Sequence, residues 1–319
     1  MQPVSVAVGR SFAAVYNVLD FGAAGDGKTN DSHSFLKAWQ LVCGTHGINT
    51  LLIPSGRVFL VENLGLNGTC MATSISIQVL AFQSCNNLRV RNLKTINSPQ
   101  AHIHVNQCVG AIFSYLHISA PGDSPNTDGI DIYDSKYINI EDSIIGTGDD
   151  CIAISGDSSF INATRIACGP GHGISIGSLG RENARNIVEE VHVQNCSFTN
   201  TENGARIKTW TIGSGYARKI TFEQITLTKT QNPIIIDQYY TDSEKGGVQV
   251  SEVTYRGFRG TSYNDQAITL NCSSSGCYNI VLDQNNIVSS EPGKPAYCSC
   301  LNAHGTATST VPNCSCLIS

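Results

Sequence analysis

The sequence predicts an all-β fold, a solenoid of parallel β coils with one short helix as its N-terminal cap. Three observations carry this. Short β-branched runs such as "NLRVRNLKTIN", "KYINIEDSIIGTG", "VEEVHVQNCSFTN" and "ARKITFEQITLTK" recur at starts roughly 23 to 33 residues apart, separated by Gly, Asn, Asp and Ser turns. Within a run, apolar and polar residues alternate, as in Tyr137-Ile138-Asn139-Ile140-Glu141, the period of a strand. Finally, Asp128, Asp150 and His172 stand at one interval of 22 residues, in "NTDGIDI", "GTGDDCIAI" and "GPGHGISIGSLG".

The helix is expected in "NDSHSFLKAWQLVCG", where Phe35, Leu36, Trp39 and Val42 fall at helical spacing and Asp31 or Ser32 can cap. Its expected place is over the open end of the solenoid, which would otherwise leave apolar core and unpaired backbone facing water. An antiparallel sandwich would favour two-residue Asn-Gly or Asp-Gly hairpins between consecutive strands. The near-constant repeat of strands, turn and return suits stacked parallel coils better. In such a stack, residues of equal phase lie one strand spacing apart, about 4.8 Å. Asp128, Asp150 and His172 are therefore expected as vertical neighbours on one face.

Composition narrows the functional classes. Charged residues are 14% and the net charge is −5, which argues against nucleic acid as partner. The longest apolar runs, "TLLIP" and "NPIIID", are far shorter than the roughly 20 residues of a membrane helix. A signal peptide is not evident in "MQPVSVAVGRSFAAVYNVLDFG". Thirteen cysteines, several closely spaced, nevertheless point to an oxidising, extracellular compartment, and their odd number requires at least one unpaired thiol. Metal binding is the rival reading of Cys298, Cys300, Cys314 and Cys316, but C-x-C spacing without well-spaced histidines is weak for zinc. N-glycosylation tripeptides at Asn30, Asn67, Asn162, Asn195, Asn271 and Asn313 agree with secretion.

Asp128, Asp149, Asp150 and His172 would share one small patch. Like charges this close raise one another's proton affinity, so one carboxyl stays protonated beside an ionised neighbour. That combination is what glycosidic cleavage requires: one group protonates the leaving oxygen and another activates water. An isolated Asp of this kind would more simply be a strand-ending turn residue; three at matched phase favour the chemical reading. In "GARIKTW", Arg206 and Lys208 lie two apart on one strand face. Two such cations suit a carboxylate on the substrate, which points to a sugar acid.

Taken together and in this order, "NTDGIDI", "GTGDDCIAI", "GPGHGISIGSLG" and "RIKTW" resemble the four signature motifs of the polygalacturonases, glycoside hydrolase family 28, in their plant branch. The resemblance runs from about Ala81 to Cys316, and "YNVLDFGAAGDGKTNDS" echoes the family's opening. It implies a right-handed parallel β-helix acting as one domain over residues 1–319, hydrolysing α-1,4-linked galacturonan with inversion. It also implies that no metal or other cofactor is needed, that the protein is a monomer, and that its place is the cell wall. Carried over, Asp149 is the general acid, Asp128 and Asp150 hold and activate water, and His172 tunes the acid. Arg206 and Lys208 take the galacturonate carboxylate, and Tyr240 of "DQYY" lines the sugar subsite. Gly171 and Gly173 keep the cleft floor open or serve a tight turn. The family pattern further implies a Cys151–Cys168 bridge, with Cys272–Cys277 closing a small loop.

The chain departs from the family between Cys70 and Ala81, where "MATSISIQVL" replaces a much longer stretch of further coils. Solenoid coils are held by their nearest neighbours, so this shortening leaves an alternative: a vestigial homologue that binds pectin without turnover. A pectin lyase is disfavoured, because elimination generally employs a metal or a basic catalyst and here acids cluster with His172.

Overall fold

The computed structural model describes residues 13–54, 57–61, 66, 69–78, 80–98, 100–240 and 247–317. The segment before residue 13, Asn67 and Val79 lie outside the described residues. Where the sequence is read as one domain, the chain's contacts gather into two compact units that meet in sequence between Val79 and Leu80. Nearest-neighbour packing makes such a division natural, since a coil holds only to the coils beside it.

In the first unit, helix Ser32–Gly44 buries Phe35, Ala38, Val42 and Cys43 and packs against strands Ala13–Asn17, Gly47–Leu52 and Ala72–Gln78. Asp31 occupies the N-cap position, but its side chain makes no cap hydrogen bond. Its carboxylate instead accepts from the backbone N–H groups of Ala24 and Gly25, at 2.6 and 3.1 Å, tying the preceding loop down. A disulfide joins Cys43 to Cys70.

The second unit is the parallel β-helix. Nine parallel strands, one per coil, form its first sheet, running from Leu80–Gln83 to Tyr297–Leu301. The coils that matter most contribute Ile130–Tyr133, Ile152–Ser155, Ile174–Leu179 and Asn203–Thr209. Returning strands are longer, such as Lys136–Gly146, Ser158–Cys168, Arg185–Gln194 and Ser214–Glu223, and also pair in parallel.

Inward positions stack like on like. Ile130, Ile152 and Ile174 pair in register, as do Ile132, Ile154 and Ile176, and all six are fully buried. Across the core, Ile138, Ile161, Val191, Ile220 and Val253 form a matching stack. Burying each such side chain stabilises by about 1.5–3 kcal/mol, and the repetition supplies the core.

Corners are built by two devices. Asp142, Arg165, Asn195, Gln224 and Gly257 follow registered strand positions and all adopt positive φ, a left-handed turn that Asn, Asp and Gly accept most readily. Backbone N–H groups that lose a strand partner at a corner are met by side chains of the next coil. Thus Cys108 N donates to Ser135 Oγ at 3.0 Å, Ser135 N to Ser158 Oγ at 3.2 Å, and Leu116 N to Ser143 Oγ at 3.0 Å.

Disulfides join Cys151 to Cys168, Cys272 to Cys277, Cys298 to Cys314 and Cys300 to Cys316. The thiols of Cys85, Cys108 and Cys196 are free. No helix among the described residues is long and apolar enough to cross a membrane.

Candidate active site

The 22-residue interval is one coil. Asp128, Asp150 and His172 each precede by two residues the paired isoleucines Ile130, Ile152 and Ile174. Gly129 N donates to Asp150 O at 2.8 Å, and Cys151 N to Gly173 O at 2.7 Å, so the backbone ladder continues through the site. Two glycines permit this closeness. A Cβ on Gly148 would collide with the backbone of Ser124, and one on Gly173, at φ +87°, with the backbone of Asn203. The demand at Gly173 is therefore coil-to-coil approach rather than an open cleft floor.

Asp150 is 1% exposed. Its Oδ1 accepts from Arg206 Nη2 at 2.6 Å and Ser175 Oγ at 2.7 Å, and its Oδ2 from Lys208 Nζ at 2.9 Å. Arg206 Nε also donates to Ser175 at 2.9 Å. A buried anion is thus matched by two cations and a hydroxyl, which offsets its desolvation. The two cations expected to face a ligand are here shared with a catalytic-type carboxylate. A guanidinium offers five donors and an ammonium three, more than the contacts to Asp150 and Ser175 take up among the described residues. Lys208 Nζ also sits 5.5 Å from the centre of the Tyr240 ring, which is exposed.

Asp149 and His172 form the second half. His172 Nδ1 lies 3.0 Å from Asp149 Oδ1, and its Nε2 lies 3.3 Å from Glu202. Burial pushes Asp149 up, but the His172 hydrogen bond and charge, the Asp150 N–H and Lys208 outweigh it and hold the carboxyl below its usual range. The Asp149 hydrogen bond chiefly, with the charges of Glu202, Asp149 and Asp150, raises the proton affinity of His172 against the opposing effect of burial. Asp128 behaves oppositely. Burial, and then the negative charges of Asp131, Asp149 and Asp150, push it up to about 8. In the substrate-free site the proton therefore rests on Asp128 and His172, and Asp149 is an anion.

Ligand atoms of Asp149, Asp150 and His172 lie within 4.8 Å of one another. Those of Asp150 are already matched by Arg206 and Lys208, so a cation there would meet a site whose charge is largely satisfied.

The structure brings together all seven residues singled out from sequence and adds Ser175, Glu202 and Asp131. Asp131 carried a signal, standing three residues after Asp128 in "NTDGIDI". Ser175 pairs directly with Arg206 across the sheet, which strand register alone could have indicated. Glu202 gave none, because its coil is longer.

A parallel β-helix bearing clustered carboxyls, a histidine and two cations along one sheet has the constellation of a polysaccharide-cleaving glycosidase. Residues 76–316 match the model of glycosyl hydrolases family 28, and the chain belongs to that family. A probable polygalacturonase of Arabidopsis thaliana is 41% identical over 365 residues, covering 94% of this chain and 80% of that protein. Polygalacturonase-2 of Solanum lycopersicum is 35% identical, covering 95% and 81%. Among solved structures, an endo-xylogalacturonan hydrolase from Aspergillus tubingensis superposes with a TM-score of 0.67 at 21% identity, covering 92% of this chain and all of that one. An exopolygalacturonase from Thermotoga maritima gives 0.58 at 21% identity, covering 86% of each chain. These two likenesses concern the fold.

Proposed function

We propose that the chain hydrolyses α-1,4-galacturonosyl linkages of polygalacturonan, with inversion, at the Asp128–Asp149–Asp150–His172 cluster. The observation that carries this is the constellation itself: Asp149 held by His172 at 3.0 Å beside the buried Asp150, which Arg206 and Lys208 bind at 2.6 and 2.9 Å. Asp128 and Asp149 are moreover pushed in opposite directions by their surroundings, the kind of perturbation that marks a functional carboxyl cluster.

Asp149 acts as the general acid once substrate binds. An arriving galacturonate carboxylate adds negative charge and excludes water, and both raise the proton affinity of Asp149. The proton reaches it through the 3.0 Å contact with His172. On the other side of the sugar, Asp150 takes the proton of the attacking water, which the protonated Asp128 helps to hold, the arrangement of an inverting hydrolase. The remaining donors of Arg206 and Lys208 take the galacturonate carboxylate, and the exposed Tyr240 ring carries a sugar face.

The chain is read as one working domain, a monomer, acting on pectin outside the cell. Its five disulfides suit an oxidising compartment. Reducing-end release from polygalacturonic acid at about pH 5, beside an Asp149→Asn variant, tests the reading. Activity lost in the variant supports it, and a folded but inactive wild-type chain would favour binding without turnover.

A further inference from the structure

The sheet that carries Arg206 and Lys208 continues toward the N-terminal side of the β-helix as a polar floor. Ala81, His104, Asp131, Ala153, Ser175 and Arg206 are registered partners along one row. Gln83, Asn106, Tyr133 and Ser155 form the row two residues on, and so share the same face. Between these rows lies a cavity of about 420 Å³, lined by Gln83, His104, Asn106, Asp131 and Tyr133 among others. At about 4.8 Å per strand, His104 stands two spacings, roughly 10 Å, from the strand that Asp149 and Asp150 introduce.

Two features of this cavity are built for a ligand. His104 Nδ1 is held by Asp131 at 3.2 Å, and its Nε2 has no hydrogen-bond partner among the described residues. Asn106 donates through Nδ2 to Gln83 at 2.9 Å, while its Oδ1 is buried without a partner. A buried, unmatched acceptor is costly, and a sugar hydroxyl would relieve it. Once protonated, the imidazole donates from both nitrogens, and Asp131 already occupies one side. The other side suits a second carboxylate. A bare Asp131 would repel a polyanion, and the His104 ring, 3.2 Å away, stands between that carboxylate and the cavity's other side.

We propose that His104, anchored by Asp131, and Asn106 form a distal subsite for a galacturonate unit remote from the bond that is cleaved. His104 takes that unit's carboxylate and Asn106 a hydroxyl. The proposal rests on the polygalacturonan reading, but its test does not require turnover. Asp149→Asn and Asp149→Asn/His104→Ala chains are titrated at pH 5 by calorimetry with hexagalacturonate, its methyl ester and digalacturonate. A charge-assisted hydrogen bond predicts that removing His104 weakens hexagalacturonate about tenfold. The methyl ester and digalacturonate, lacking the charge or the reach, should change less than twofold. An equal loss for digalacturonate would place the effect at the centre, and an equal loss for the ester would remove carboxylate recognition; either overturns the proposal. Unchanged or unmeasurable hexagalacturonate binding overturns it too. The hydrolase reading fails separately, if the wild-type chain releases no reducing ends.

Discussion

His172 clamps Asp149: Nδ1 lies 3.0 Å from the Asp149 carboxylate, while Nε2 is held at 3.3 Å by Glu202 on the following coil. The imidazole is thus fixed between two anions and its proton is shared with the group that must deliver one.

Replacing His172 by Ala should cost roughly 10²-fold in kcat, the lower range for a positioned proton-transfer group. The pH profile is the more telling readout. With His172 gone the acid's proton is held by the Asp149 carboxyl alone, so the alkaline limb of kcat/KM should retreat toward the carboxylate range. In the intact site the alkaline limb follows loss of the His172 proton, whose affinity is raised. The bell should therefore reach past the ordinary imidazole range on that side. A His172→Ala profile of unchanged shape, only lower, would separate His172 from the titration of Asp149.

Asp128 links catalysis to stability. Its folded proton affinity is about 8, against an ordinary value of 3.8. Between those pH values the folded chain keeps a proton that the unfolded chain has released, so stability falls as pH rises from about 4 to about 8. Asp128→Asn removes that dependence. Urea denaturation should show the variant gaining on wild type at pH 8, by a gain of order a few kcal/mol, and no such gain at pH 4. Equal differences at the two pH values would count against a buried, protonated Asp128.

How much of this was legible in the sequence depended on coil length. Asp128, Asp150 and His172 declared themselves because two successive coils are equally long, and the same stacking set Ile130 over Ile152 and Ile174. The next coil inserts the short helical turn Arg181–Asn183, so Glu202 arrives out of step with His172 and its role was hidden. The pairing of Arg206 and Lys208 with Asp150 was hidden for another reason. Residue types suggest that cations meet an acid, but only register across three strands decides whether that acid belongs to the chain or the ligand. The helix was legible from its apolar spacing. The diversion of Asp31 to Ala24 and Gly25 was not, because it depends on the loop before it.

Lys208 carries two duties, which a double-mutant cycle separates. Lys208→Ala leaves Asp150 buried with one cation fewer, and breaking such a pair costs about 3–5 kcal/mol. In an Asp150→Asn background, the same substitution should cost far less in urea denaturation. Its weakening of oligogalacturonide binding should persist in both backgrounds if Lys208 also touches the sugar carboxylate. Additive stability losses would mean that the 2.9 Å contact contributes little.

The glycine of "GTGDD" sets how closely two coils approach beneath the carboxyl cluster. Gly148 N donates to Thr127 Oγ1 at 3.0 Å, and any Cβ there would run into the Ser124 backbone on the neighbouring coil. Because the obstacle is main chain, it cannot swing aside as a flexible side chain would. Gly148→Ala should therefore push apart the segment carrying Asp149 and Asp150 from that carrying Asp128. We expect a loss of at least about 2 kcal/mol in stability, with kcat reduced more than KM is raised, since the carboxyls move relative to one another while Arg206 and Lys208 stay on their strand. A variant with wild-type melting temperature and kcat would show that the two segments tolerate separation. The close stacking of coils would then not be what sets the geometry of the cluster.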